Sequence, residues 1–242
     1  QTFYMLPISL FGISVAASEL PELSRMRVEE EQVLASRVST ALRRVSFFVI
    51  PSAAVYLVLG DVVVAAVFQT GAFGSVETLV TWGVLGAYAI GLPASASSRV
   101  LSSAFYALRD TKTPAKIAYI RIVVSIVIGL LLMIPLDDLG FVQLRLGAAG
   151  LALGASAGAW LEYVLLRRSL RVMIGAHGPG SSAVLRVMLA ATLAVGSGVL
   201  LQLNLPVAHP IVLGLAILIP AGLVYVATAA FLGENFSDRV RR

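Results

Sequence analysis

VMLAATLAVGSGVLLQLNLPVAHPIVLGLAILIPAGLVYVATAAFLG, the stretch Val187–Gly233, contains no aspartate, glutamate, lysine or arginine. A helix needs about 20 apolar residues to cross the hydrocarbon core of a membrane, and two such runs lie in this region, Ala183–Leu203 and Ile211–Leu232. The whole chain agrees, because 58% of its residues are hydrophobic and 13% are charged, whereas soluble domains carry about 25% charged residues. We therefore predict an integral membrane protein, which excludes a soluble enzyme and a disordered segment. The absence of cysteine excludes thiolate metal sites.

Further apolar runs bring the prediction to seven spans, in an all-α polytopic membrane helix bundle. The other five are Phe3–Leu20, Val45–Phe68, Leu79–Ala107, Ile117–Leu136 and Leu146–Leu166. Gly60 and Asp61 interrupt the second of these runs. Its tail, Val62–Phe68, is therefore predicted to form a short interfacial helix.

The basic residues fall almost entirely into alternate connections between these spans. Fourteen of the 18 lysines and arginines belong to connections on one side, and only Arg145 belongs to a connection on the other. Under the positive-inside rule the N-terminus is then outside and the C-terminus is cytoplasmic. The net charge of +5 is explained by orientation, so no nucleic-acid partner is expected.

The first connection, Pro21–Arg44, is predicted to form a separate helix on the cytoplasmic surface. Acidic residues stand early in it and basic residues late, which suits the helix dipole, and apolar residues recur at helical spacing. These positions are Glu29, Glu30 and Glu31, then Arg37, Arg43 and Arg44, with Leu34, Val38, Leu42 and Val45 as the apolar set.

Charged residues inside spans are candidates for function, because each costs several kcal/mol unless it faces a cavity or a partner. Arg99 stands within a serine-rich stretch that suits a hydrated or phosphate-lined cavity, or else it extends to the cytoplasmic interface. Arg121 follows Lys116 closely, so extension to the interface is favoured there. Glu162 is predicted to be an interface charge near Arg167 and Arg168.

Small residues give two further predictions. Ser14 and Ser18 place hydroxyls on one face of the first span, where they line a cavity or bond back to the helix. Gly150, Gly154 and Gly158 form a face of the fifth span on which another helix can pack closely.

We find no hydrolase, metal or nucleotide motif and expect no cofactor. Because Gln1 leads directly into an apolar run, we expect the chain to be the C-terminal half of a longer protein.

Three stretches, in the same order, resemble the MurJ (MviN) lipid II flippase family. The first is LPISLFGISV with the following ELPELSR (Leu6–Arg25), which resembles the eighth helix of that family. The second is FQTGAF (Phe68–Phe73) followed by AYAIGL (Ala87–Leu92). The third is AFYALRDTKTP (Ala104–Pro114), which is similar to a cytoplasmic turn of the family.

The resemblance implies the fold of the multidrug/oligosaccharidyl-lipid/polysaccharide exporter superfamily, with this chain holding helices eight to fourteen. Residues 1–171 would form most of the C-terminal lobe, and residues 172–242 two extra helices with a groove for a polyprenyl tail. It implies that the protein flips lipid II across the bacterial cytoplasmic membrane by alternating access, with membrane lipids and the missing N-terminal lobe as further partners. The cavity candidates are Arg99, Ser14, Ser18, Thr2 and Arg121.

Two positions depart from the family pattern. Thr2 stands where the family usually has an arginine before its eighth helix. Some members hold sodium on the eleventh helix, but the corresponding region here contains Arg121, Ser125 and Gly129. We expect the positive charge of Arg121 to replace a bound cation.

Three alternatives remain. One is an exporter of drugs or other polyprenyl-linked saccharides within the same superfamily. The second is a seven-helix receptor or retinal protein, although a retinal protein needs a lysine in its last span and Lys112 and Lys116 lie in a connection. The third is a noncatalytic membrane scaffold.

Overall fold

The computed structural model describes residues 31–69, 73–138, 147–206 and 209–234. These residues contain seven helices and no strand, which confirms the all-α prediction. The helices are α1 (Glu31–Val58), α2 (Gly60–Phe68), α3 (Ser75–Ala107), α4 (Lys112–Asp138), α5 (Gly147–Ile174), α6 (Ser181–Asn204) and α7 (Pro210–Phe231). All except α2 are long and apolar enough to cross a membrane. The predicted first span, Phe3–Leu20, lies outside the described residues.

The membrane helices pack in a row in the order α4, α5, α3, α1, α6 and α7, and the short α2 packs against α7 and α3. The helices α3 and α5 form the centre of the row. Half of the residues in the most apolar segment of each are buried, compared with 11% in α4. The apolar exterior of α4 suits contact with lipid or with another apolar helix, because exposure of such a face to water would be unfavourable.

The start of α1 corrects the prediction of a separate surface helix over Pro21–Arg44. From Glu31 onward, the chain continues as one helix to Val58. Leu34, Val38, Leu42 and Val45 are buried in one core cluster with the ends of α3 and α5, so this part is held as firmly as the membrane span. A helix of 28 residues is about 42 Å long, and it can both cross the hydrocarbon core and extend beyond it.

The predicted interruption at Gly60 is confirmed. The chain leaves the helix at Leu59 and begins α2 at Gly60. The indole ring of Trp82 packs so closely on Gly60 that it leaves no space for a Cβ atom there. Trp82 also donates a hydrogen bond of 3.2 Å to the carbonyl of Leu57, which satisfies a backbone acceptor at the end of α1.

The turn between α3 and α4 is formed by ALRDTKTP, part of the third stretch that resembles the family. Its residues end one helix and begin the next. Arg109 has a positive φ of 60°, and the N–H of Asp110 donates back to the carbonyl of Phe105 at 2.9 Å, which ends α3 in a Schellman motif. Asp110 Oδ1 then accepts hydrogen bonds of 3.0 Å from the N–H groups of Lys112 and Thr113. Hydrogen bonding from Thr113 holds the pKa of Asp110 below its usual value.

Two of the basic connections meet at one end of the bundle, in agreement with the charge pattern. Gly178 N–H, in the loop between α5 and α6, donates to Ser39 Oγ at 3.1 Å. Arg43 Nε donates to the carbonyl of Pro179 at 3.3 Å. The N-terminal half of α1 and the α5–α6 loop therefore form one surface, and its cytoplasmic orientation stays a prediction of the positive-inside rule.

Candidate functional site

Arg99 lies on α3 with its side chain exposed, while the neighbours Ser98 and Val100 are buried. Among the described residues, its guanidinium forms no ion pair and no side-chain hydrogen bond. The five N–H donors of an arginine match the oxygens of a phosphate group. Arg99 is therefore available to an anionic ligand that approaches α3 from outside the described helices.

The serines around Arg99 are placed differently from that side chain. Ser95, Ser97, Ser98 and Ser103 are buried between helices, and Ser103 Oγ donates to the carbonyl of Arg99 at 2.8 Å. Their small size permits close helix packing. The structure thus places Arg99, but not these four hydroxyls, on an open surface.

Arg121 and Glu162 form an ion pair between α4 and α5, with Nη1 of the arginine 2.6 Å from Oε2 of the glutamate. Sequence reasoning assigned Glu162 to the neighbourhood of Arg167 and Arg168 and did not find this partner. The signal was available, since each residue is the exception in an apolar run and a buried charge requires a counter-charge. Their meeting depends on the register of two helices, which the sequence does not show.

The glycine face of α5 packs against α4, as predicted. A Cβ at Gly150 would lie 2.7 Å from the backbone of Leu132. At Gly154 it would overlap the backbone of Gly129, and at Gly158 it would overlap the side chain of Ser125. The two helix backbones thus approach as closely as their glycines allow.

An apolar cavity of about 420 Å³ opens among α1, α2, α6 and α7. Its walls include Val55, Ala191, Val195, Leu218 and Ala221. The hydroxyl of Tyr225, another wall residue, donates a hydrogen bond to the carbonyl of Phe47 and so joins α7 to α1. Small and aliphatic side chains leave space here for a hydrocarbon chain.

A second cavity, of about 440 Å³, lies among α2, α3, α6 and α7. Asp61 and Gln202 line it, and Gln202 Nε2 donates to Asp61 Oδ2 at 2.8 Å. The sequence analysis identified Asp61 only as part of the interruption of an apolar run. Nothing in the local sequence connects it with Gln202, because the two residues are 141 positions apart.

His177 is buried in the α5–α6 loop at the basic end of the bundle. Its Nδ1 lies 3.0 Å from the carbonyl of Gly175, and Arg167 donates to the carbonyl of His177 at 3.4 Å. Burial lowers the pKa of His177, and the nearby charges of Arg167 and Arg171 lower it further, against the opposing effect of the Gly175 hydrogen bond. The neutral imidazole is therefore favoured in the folded loop.

The remaining cavity candidates, Thr2, Ser14 and Ser18, lie outside the described residues. Within the described ranges, no group of three or more His, Cys, Asp or Glu side chains could hold a metal ion.

Comparison with known proteins supplies the family. The model of the family described as lipid II flippase MurJ matches residues 1–222. A probable lipid II flippase MurJ of Rickettsia prowazekii (strain Madrid E) is 30% identical over 164 residues, which cover 67% of this chain and 30% of that protein. The lipid II flippase MurJ of Thermosipho africanus (strain TCF52B) is 34% identical over 132 residues, covering 53% of this chain and 27% of that protein.

A solved structure has the same fold. The chain of lipid II flippase MurJ in an inward closed conformation superposes with a TM-score of 0.73 at 24% sequence identity. The match covers 99% of this chain and 46% of that one. The matched part of this chain thus covers about 30% of the length of the curated relatives, and the chain corresponds to somewhat less than half of the solved protein.

Proposed function

This chain belongs to the MurJ family of lipid II flippases, and from that premise we propose that it forms the C-terminal part of a flippase that carries lipid II across the bacterial cytoplasmic membrane. The observation that carries the proposal is the family match over residues 1–222. Six membrane-crossing helices support it. Transfer by alternating access makes and breaks no covalent bond, so the proposed protein is a transporter and not an enzyme.

Two regions divide the recognition of an amphiphilic lipid between them. The exposed guanidinium of Arg99, which has no partner among the described residues, contacts the diphosphate of the headgroup. The apolar cavity among α1, α2, α6 and α7 receives the polyprenyl tail. Residues 1–171 then form most of one lobe, and residues 172–242 add the two helices that build the tail groove. Thr2, Ser14 and Ser18 complete the proposed headgroup cavity from the preceding span.

The ion pair changes the role proposed for Arg121. Because Glu162 balances its charge at 2.6 Å, the pair as a whole, and not Arg121 alone, takes the place of the cation that the family resemblance implies for this region. The pair stabilises the contact of α4 with α5 without a bound cation.

Residues 1–242 alone, which would lack the other lobe, are expected to show no flipping.

The apolar cavity among α1, α2, α6 and α7 is the proposed tail groove. It is tested by measuring the rate of lipid II flipping in proteoliposomes that contain the natural protein carrying this chain. Ala221→Phe places a ring in the cavity and should lower the rate several-fold. Leu223→Phe changes a neighbouring side chain that is 66% exposed on the outer face and should leave the rate unchanged. Equal rates for the two variants would reject the groove.

Headgroup competition separates the proposed substrate from the other candidates of the superfamily. Excess lipid II should block transport of labelled lipid II, polyprenyl diphosphates with unrelated saccharides should compete more weakly because they share only the diphosphate and the tail, and cationic drugs should not compete. Equal competition by an unrelated polyprenyl-linked saccharide would instead favour a broader exporter.

A further inference from the structure

The second cavity, defined here as the Asp61 cavity, is separate from the tail groove. It lies among α2, α3, α6 and α7, and its polar wall consists of Asp61, Gln69, Ser75, Thr78 and Gln202. The tail groove shares no lining residue with it. A volume of about 440 Å³ is in the range of sites for small organic ligands and is far larger than a bare metal ion requires.

The carboxylate of Asp61 is only half satisfied. Gln202 donates to Oδ2 at 2.8 Å, but Oδ1 is shielded from solvent and accepts no hydrogen bond from the described residues. A shielded carboxylate oxygen without a donor is unfavourable, because it has lost its water without gaining a partner. Asp61 lines the cavity, and the broad torsion of its last side-chain bond allows the carboxylate to turn part-way towards a donor inside it.

The rest of the wall favours a ligand that has a hydrogen-bond donor on a short aliphatic chain. Gln202 is held by its bond to Asp61 through its amide nitrogen, so its carbonyl oxygen remains as an acceptor. Val62, Ala65, Val76, Leu79 and Leu213 supply an apolar surface beside the polar groups. Among the described residues, no lysine or arginine lines the cavity, so the carboxylate has no basic neighbour in the described part of the wall.

From these observations we propose that the Asp61 cavity binds a primary ammonium group on a short aliphatic linker, as carried by an aminophospholipid headgroup or by a free alkylamine. The ammonium donates to the carboxylate of Asp61 and to the amide oxygen of Gln202. Its methylene arm lies along Val62 and Leu213. The position of α2 at the end of α1 places this opening beside the ends of the spans, where lipid headgroups are found. The site is independent of the proposed transport substrate.

Native mass spectrometry of the natural protein carrying this chain tests the site. The probes are dioleoyl-phosphatidylethanolamine, dioleoyl-phosphatidylglycerol and free ethanolamine. We expect the ethanolamine lipid to bind about tenfold more tightly than the glycerol lipid, because it adds one charge-assisted hydrogen bond. Asp61→Asn should abolish this preference, and Asp137→Asn, which alters an exposed carboxylate on α4, should retain it.

A second variant protects the test from a folding defect. Ala65→Leu narrows the cavity and leaves the carboxylate in place, so it should also weaken binding of the ethanolamine lipid, with the thermal midpoint kept as a fold control. Competition by free ethanolamine would assign recognition to the ammonium group alone. Asp61-dependent lipid binding without such competition would assign the site to the whole headgroup. Equal binding of the two lipids, or an unchanged preference in Asp61→Asn, would overturn the proposal.

Discussion

Arg121 and Glu162 join α4 to α5 through an ion pair with a nitrogen to oxygen distance of 2.6 Å. The side chain of Glu162 is 10% exposed and that of Arg121 is 34% exposed. A charge of either sign would be costly at this place without its partner. The pair accordingly selects one register of α4 against α5, in which the glycine face of α5 also fits.

Removal of one member of the pair should destabilise the protein more than removal of both. Arg121→Met and Glu162→Met each leave one uncompensated charge, and we expect each to cost about 1–3 kcal/mol, less than a fully buried pair because Arg121 is partly exposed. The double variant should recover part of this loss. Thermal unfolding of the purified protein in detergent, arranged as a double-mutant cycle, measures the coupling.

Exchange of the two charges provides the control. Arg121→Glu combined with Glu162→Arg restores an ion pair and should be more stable than either single exchange. Strictly additive effects in the cycle would show that the two side chains are not coupled.

A methyl group on the glycine face of α5 should push the helices apart. In Gly154→Ala the new Cβ meets the backbone of Gly129, and overpacking of this kind costs about 1–3 kcal/mol. Gly196→Ala is the matched control, because that position on α6 has no atom within 4 Å of an added Cβ and gains only helix propensity. Equal melting temperatures for the two variants would contradict close packing of α4 on α5.

Loss of the exposed guanidinium on α3 should impair transport without affecting stability. Arg99→Ala should lower lipid II flipping by the natural protein about tenfold, and Arg99→Lys should retain part of the rate, because lysine keeps the charge but not the forked geometry. Arg168→Ala removes another exposed arginine, at the end of α5, and serves as the control. A flipping rate unaffected by Arg99→Ala would remove this residue from the proposed headgroup site.

Acidification should loosen the α5–α6 loop. Burial holds the pKa of His177 below its ordinary value of 6.5, so the unfolded loop binds a proton more readily than the folded one. The stabilisation is complete above about pH 6.5 and decreases as the pH falls from there towards the lower pKa of the folded loop. Hydrogen exchange at Gly178 N–H, which donates to Ser39, should become faster at pH 5.5 than at pH 7.5 after correction for intrinsic rates.

Replacement of the imidazole tests the origin of this effect. His177→Asn keeps a polar side chain that does not titrate, and its exchange at Gly178 should show much less dependence on pH. An equally strong dependence in that variant would assign the effect to other groups of the loop.

Hydropathy predicted most of the architecture, because a run such as Ile117–Leu136 has no stable alternative to a membrane helix. It placed the boundaries of α6 and α7 within two residues of those observed, whereas α4 begins five residues before its predicted run and α5 ends eight residues after its own. Over residues 31–44 the prediction of a helix was confirmed, but that of a separate surface helix was wrong. There the buried stripe of Leu34, Val38 and Leu42 continues α1 instead, and a local charge pattern does not reveal that neighbouring helices extend far enough to cover it.

The sequence by itself determined that the chain crosses a membrane and predicted that its basic connections share one side, because apolar length and charge position are local properties. Only the tertiary structure decided that Arg121 meets Glu162, that Asp61 meets Gln202, and that Arg99 stays exposed while its neighbouring serines are buried. The physical reason is that a helix carries its side chains in every direction around its axis. Which of them meet depends on the rotation and register of helices that are distant in the chain.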